Sequence, residues 1–231
     1  GFAGYVAIRL LGTERGLLVI GAVGGLVSST AVTLASAARA KQSPSLAPQS
    51  ALAVIIASTI MMLRVGVTVF VVQPSLVQPL LIPLGAMSAV GVAFLVVFAV
   101  RDRPNRSVSP ELDLSNPFEL SSALKFGAFF IVILLVSRWA TVQLGAGGAY
   151  LTGFIAGAAE VDAITLSMAD LVGSNQLSIE VASKAIVIAA ASNTMVKGIL
   201  AFVLGGATFG RRIVLAFSTM VAIGGVTLVL F

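Results

Sequence analysis

The 231-residue chain contains no cysteine and no histidine. Within it, disulfides, thiolate chemistry and Cys/His metal centres are excluded. So is the side chain that most often moves protons near neutral pH. Charge is scarce too: Asp, Glu, Lys and Arg make up 10% of the residues, against about 25% in a soluble domain. No nucleophile–base spacing marks an enzyme, and no cofactor is expected. The formal net charge of +5 is small for the length. It reads as loop anchors beside lipid headgroups, and nucleic acid is not an expected partner. Any ion or proton chemistry falls to carboxylates, amides, hydroxyls, Lys, Arg or backbone carbonyls.

What remains is apolar. The chain is 58% hydrophobic, with a mean hydropathy of +1.08. Charge-free runs cover 16–38, 65–100 and 139–159, and a membrane span needs about 20 mostly apolar residues. The expected fold is therefore an all-α integral membrane protein whose main partner is the lipid bilayer. Reading between charges gives about 7–8 hydrophobic segments: 1–12, 16–38, 50–72, 78–100, 120–143, 147–170, 181–205 and 212–231. The opening "GFAGYVAIRLLG" has no initiator Met and no signal-peptide pattern. It reads as the end of a truncated helix from a longer protein. A charged, Pro- and Ser-rich stretch, "RDRPNRSVSPELDLSNP" at 101–117, divides the chain.

The halves resemble each other. "GGLVSSTAVTLAS" (24–36) lies over "AGAAEVDAITLSM" (156–168) at an offset of 132. With one residue more, 51–64 lies over 184–197, which sets Arg64 over Lys197. Two internal repeats are expected, repeat one over 1–100 and repeat two over 118–231, joined by the 101–117 linker. Such repeats are the usual build of secondary transporters. If all eight segments cross the membrane, the repeats are parallel and the cations outside the spans divide seven against five. If 16–38 and 147–170 are instead broken or re-entrant, the repeats are inverted. Arg9, Arg15, Arg39, Lys41, Arg101, Arg103, Arg106, Lys125, Arg211 and Arg212 then face Arg138 and Lys184, ten against two. The positive-inside rule favours the inverted arrangement. The same two segments are rich in Gly, which weakens helix interiors, and irregular backbone at membrane depth is tolerated where it lines a cavity.

Four charges fall at membrane depth: Arg64, Glu160, Asp162 and Lys197. Each costs about 2.5–3.5 kcal/mol on insertion scales, so pairing between the two bases and two acids is expected. Structural ion pairing is one reading, and a substrate or ion site is the other. In repeat one the positions over Glu160 and Asp162 are Ser28 and Thr30, and Thr33 lies over Thr165. Acids in one repeat only point to a single charged site. Glu160 and Asp162, two apart, converge only if the backbone is unwound there. Asn193 and Lys197 lie four apart, on one helix face. A site from Asp162, Thr165, Asn193 and Lys197 is expected, with Glu160 as second acid and Arg64 as a pairing cation. A bare Mg²⁺ cage fits poorly, because Mg²⁺ wants six oxygens and Lys197 opposes a dication. The metal, if any, is left unknown. Asp170, Glu180, Arg211 and Arg212 read as solvated ends or anchors, and Pro74, Pro79 and Pro83 as a turn and helix start.

The stretches "SSTAVTL", "NPFEL", "VDAITL" and "SNTMVK" stand in this order. On them, the chain resembles the uncharacterised membrane domain found C-terminal to MgtC/SapB-type domains in many bacterial proteins. The resemblance covers essentially the whole chain. It implies an N-terminal MgtC/SapB-type region of the same protein as a partner, a bacterial inner (plasma) membrane location and an association with magnesium homeostasis. It carries over no catalytic or binding residue. The expected function is a secondary, ion- or proton-coupled transporter or ion-handling protein for a small ion or solute. The alternative is a non-transporting regulatory or assembly module, and a homo-oligomer is compatible with either.

Overall fold

The computed structural model describes residues 17–101, 131–132 and 135–230. Segment 1–12, the linker beyond Arg101 and most of segment 120–143 lie outside the described residues, with Arg9, Arg15, Arg103, Arg106 and Lys125. Every secondary-structure element among the described residues is helical. In chain order they are α1 (Leu17–Val27), α2 (Ser29–Gln42), α3 (Ala47–Val72), α4 (Val77–Arg101), α5 (135–144), α6 (Ala146–Ala159), α7 (Val161–Gly173), α8 (Ile179–Gly205) and α9 (Ala207–Leu230). Four of the described helices, α3, α4, α8 and α9, are long and apolar enough to cross a membrane. At 1.5 Å per residue, a helix of 24–27 residues is about 36–40 Å long, more than a hydrocarbon core of about 30 Å.

The long helices are punctuated by turn chemistry. Pro44–Leu46 and Pro74–Leu76 are short 3-10 turns with the same Pro-Ser-Leu sequence, leading into α3 and α4. Proline at the first position lacks only an N–H that would have no partner there. The preceding residues, Ser43 and Gln73, are held out of the helical region, as a following proline requires. Pro83 departs from the helix-start reading, since it lies inside α4. The helix continues through it, at the cost of one backbone hydrogen bond. The last segment also begins earlier than its charges suggest. Gly206 adopts φ +82°, a left-handed value that ends α8, and α9 starts at the next residue. Arg211 and Arg212 are therefore inside a helix, with the Arg212 guanidinium 5.6 Å from the centre of the Phe98 ring.

The described residues fall into two compact units. One comprises 17–61, 88–101 and 197–219. In it α1 lies close against α3: a Cβ on Gly21 would come within 2.7 Å of Ala53 Cα, and one on Gly25 within 2.6 Å of Ala57 Cα. Only glycine permits that approach. The other comprises 62–87, 135–196 and 220–230. In it α6 lies against α8 in the same way, Gly153 on Ala185 and Gly157 on Ala189.

The two Gly-rich runs are both interrupted. The run 16–38 divides at Ser28, whose backbone is extended (φ −158°, ψ 107°). The run 147–170 divides at Glu160, extended in the same way (φ −154°, ψ 116°).

Candidate functional site

The break between α6 and α7 falls at the acids. Glu160 is the cap residue itself, with extended backbone, two residues before Asp162. Its Oε1 accepts from the Asp162 N–H at 3.4 Å. Asp162 sits in the first turn of α7, where the helix dipole favours an anion. Its Oδ2 accepts from Arg64 Nη2, from α3. The pair is mostly buried, with the Arg64 side chain 20% and the Asp162 side chain 25% exposed. Asp162 Oδ1 is buried and accepts no hydrogen bond.

The carbonyls ending α6 have lost their helical donors, as at any helix terminus. Side chains of α8 supply replacements. Asn193 Nδ2 donates to Gly157 O, in the last turn, at 3.0 Å, and Ser192 Oγ adds a bond to Phe154 O, one turn earlier inside the helix, at 2.7 Å. Asn193 is buried, so its amide serves the broken helix. The buried Thr165 hydroxyl turns inward to its own helix, donating to Val161 O at 2.9 Å.

The break between α1 and α2 holds hydroxyls and an ammonium. Ser28 Oγ accepts from the Ala31 N–H at 3.2 Å. Thr30 is half-buried, and Thr33 donates to Ser29 O at 2.9 Å. Lys197 is 1% exposed. Its Nζ donates to Ser29 Oγ at 3.0 Å and Ser58 Oγ at 3.2 Å, with Met61 Sδ at 3.1 Å.

The sequence groups Asp162 with Thr165, Asn193 and Lys197. In the structure Asp162 pairs with Arg64, Asn193 serves Gly157, and Lys197 is seated on Ser29, Ser58 and Met61. The pairing of a depth base with a depth acid thus falls on Arg64 and Asp162. Sequence reasoning missed Ser29, Ser58, Met61 and Ser192. One signal was available: in the apolar run "ALAVIIASTIMML", Ser58 and Met61 stand three apart, on one helix face.

Elsewhere in the second unit, a cavity of about 460 Å³ is lined by Ser75, Gln78, Pro83, Glu180, Lys184 and neighbours. At its edge Lys184 pairs with Glu180 at 2.6 Å, one helical turn apart. Among the described residues no three carboxylates come together as a metal-binding group.

Fold and composition define the class, an all-α integral membrane protein. The chain belongs to the family described as Domain of unknown function (DUF4010), which matches residues 1–205. It is also similar to an "Uncharacterized protein" of Aquifex aeolicus (strain VF5), 28% identical over 189 residues, covering 82% of each chain. No solved structure matches it.

Proposed function

We propose that the protein is a membrane transport protein, a secondary transporter coupled to protons or another ion, with its polar site at the α6–α7 break. The observation that carries this reading is the ion pair of Arg64 with Asp162 beside the unwound Glu160. Broken helices at membrane depth offer unpaired backbone ends and partial charges to ions, and transporters build their sites from them. A proton or monovalent cation arriving at the Asp162 carboxylate competes with Arg64. Neutralising the carboxylate releases α3 from the start of α7, which turns ion binding into movement. The guanidinium beside the carboxylates opposes a bare dication, as a positive neighbour must.

Two inverted repeats are part of the proposal. Supporting it, several features of one break have counterparts 132 residues on. Ser28 and Glu160 are the extended caps. Thr33 and Thr165 bond back to Ser29 and Val161. Gly21 and Gly25 abut Ala53 and Ala57 as Gly153 and Gly157 abut Ala185 and Ala189. In this reading each repeat has three crossings and one broken segment, the arrangement the charge asymmetry favours. Arg64 of repeat one then serves the break of repeat two, and Lys197 of repeat two serves the break of repeat one. The MgtC/SapB-type neighbour, the inner-membrane location and the tie to magnesium homeostasis rest on the sequence resemblance alone.

The test is flux. The full-length protein is reconstituted in liposomes, and ion or pH flux is compared for wild type, Asp162→Asn and Arg64→Met. The expected result is at least a tenfold loss in Asp162→Asn. Flux equal in all three, or absent throughout, would leave a regulatory or assembly module in which the pair only holds helices together.

A further inference from the structure

We infer that the Lys197 ammonium is a built-in monovalent cation, covalently tethered in a cation-binding position at the α1–α2 break. The position takes a free ammonium ion when the tether is removed. This goes beyond transport and does not depend on it.

Lysine is almost never fully buried unless its charge is partnered, and Lys197 is among the largest fully buried side chains here. An ammonium has three donors and no acceptor. Around Nζ stand Ser29 Oγ, Ser58 Oγ and Met61 Sδ at 3.0, 3.2 and 3.1 Å. Two different helices, α2 and α3, contribute these ligands. Ser29 and Ser58 are themselves buried. Ser29 Oγ also lies 3.4 Å from Met61 Sδ, so the ligands contact one another. Hydroxyl and thioether acceptors at these distances suit an N–H donor, where an alkali ion wants a shell of hard oxygens. The end of α1 at Val27 and the start of α2 at Ser29 meet at the break, so their opposed dipoles largely cancel and the side-chain acceptors hold the charge. By contrast, the α6–α7 break offers carboxylates, whose charge a free proton or ion can neutralise. At the α1–α2 break the nitrogen is fixed to the chain.

The tether gives the test its contrast. Lys197→Ala removes the ammonium and its stem and leaves a polar-lined space of the right donors. Lys197→Met removes the charge but fills the stem's space with an unbranched side chain. Thermal unfolding of the purified full-length protein is measured in detergent. The salts are choline, sodium, potassium and ammonium chloride at equal ionic strength. Wild type should unfold at one temperature in all four. Both variants should unfold about 5–10 °C lower in choline. Lys197→Ala alone should recover, by an amount rising with the concentration of ammonium and not of sodium or potassium, as ligand linkage requires. A Lys197→Ala protein indifferent to the cation, as stable as wild type in choline, or unable to fold in any of the salts overturns the inference. So does a Lys197→Met protein that responds equally. Ser58→Ala keeps the ammonium and removes one ligand, and it should lower the unfolding temperature by about 2–4 °C. No change in that variant counts against the coordination independently.

Discussion

The Arg64–Asp162 pair can be measured by a double-mutant cycle. The structure brackets its strength. A fully exposed pair is worth about 0.2–1 kcal/mol, and removing one partner of a fully buried pair costs about 3–5 kcal/mol. With the two side chains 20% and 25% exposed, the coupling should fall between, at about 1–3 kcal/mol. Asp162→Asn keeps the shape and takes the Asp162 charge from a largely buried guanidinium, and Arg64→Met takes the Arg64 charge from a largely buried carboxylate. Both should lose stability, and the double variant should recover part of the loss. For a chain of this size 1 kcal/mol corresponds to about 2–4 °C in unfolding temperature. The coupling should accordingly appear as roughly 2–12 °C of non-additivity. Unfolding of the full-length protein in mixed micelles gives the four stabilities. A coupling below about 0.5 kcal/mol, the range of simple additivity, would remove the energetic basis for a latch between α3 and α7.

Gly157→Val should destabilise by about 1–3 kcal/mol or more through overpacking, because its Cβ would overlap Ala189 Cα. Gly66→Ala, also helical but with nothing within 4 Å of its Cβ, should be neutral or slightly stabilising, and the two are compared in the same unfolding assay. Asn193→Leu should cost about 1–3 kcal/mol by leaving the Gly157 carbonyl without its side-chain donor. Asn193→Gln, with a longer reach, should recover little, and unfolding in micelles distinguishes them.

The four long apolar helices and the breaks in the two Gly-rich runs were legible because they depend on composition along the chain. A run of apolar residues makes a membrane helix wherever it packs. "GAVGGLVSST" and "GFIAGAAEVD" announce a break through their glycines and polar side chains. The residue at the break was not named by the sequence. Ser28 and Glu160 become caps because each has a side-chain oxygen within reach of the next turn's amides, and several neighbours could have served. The partner of Asp162 was legible only as one of two cations. Arg64 lies 98 residues away, and nothing local separates it from Lys197. Asn193 and Lys197 share a face by spacing, yet one turn along α8 suffices to give them different roles. The start of α9 was obscured by a sound rule wrongly applied. Paired arginines usually mark a membrane boundary, but here Gly206 supplies the left-handed turn and the helix begins before them.

Glu160 separates two roles that chemistry joins in one side chain. As a cap it needs only an oxygen, and Ser28 shows that a neutral one suffices at the corresponding break. As a charge it is a second carboxylate two residues from Asp162. A proton or monovalent cation held at this break would meet that charge as well. Glu160→Gln keeps an acceptor for the Asp162 N–H and removes the charge. Stability should hold within about 0.5 kcal/mol, since good caps differ little among themselves. If ion binding at this break drives movement, flux in liposomes should lose most of its dependence on the ion gradient while the protein stays folded. Flux and ion dependence unchanged from wild type would mean that Glu160 acts only as a cap. The proposed ion would then have to be held by Asp162 alone, in competition with Arg64.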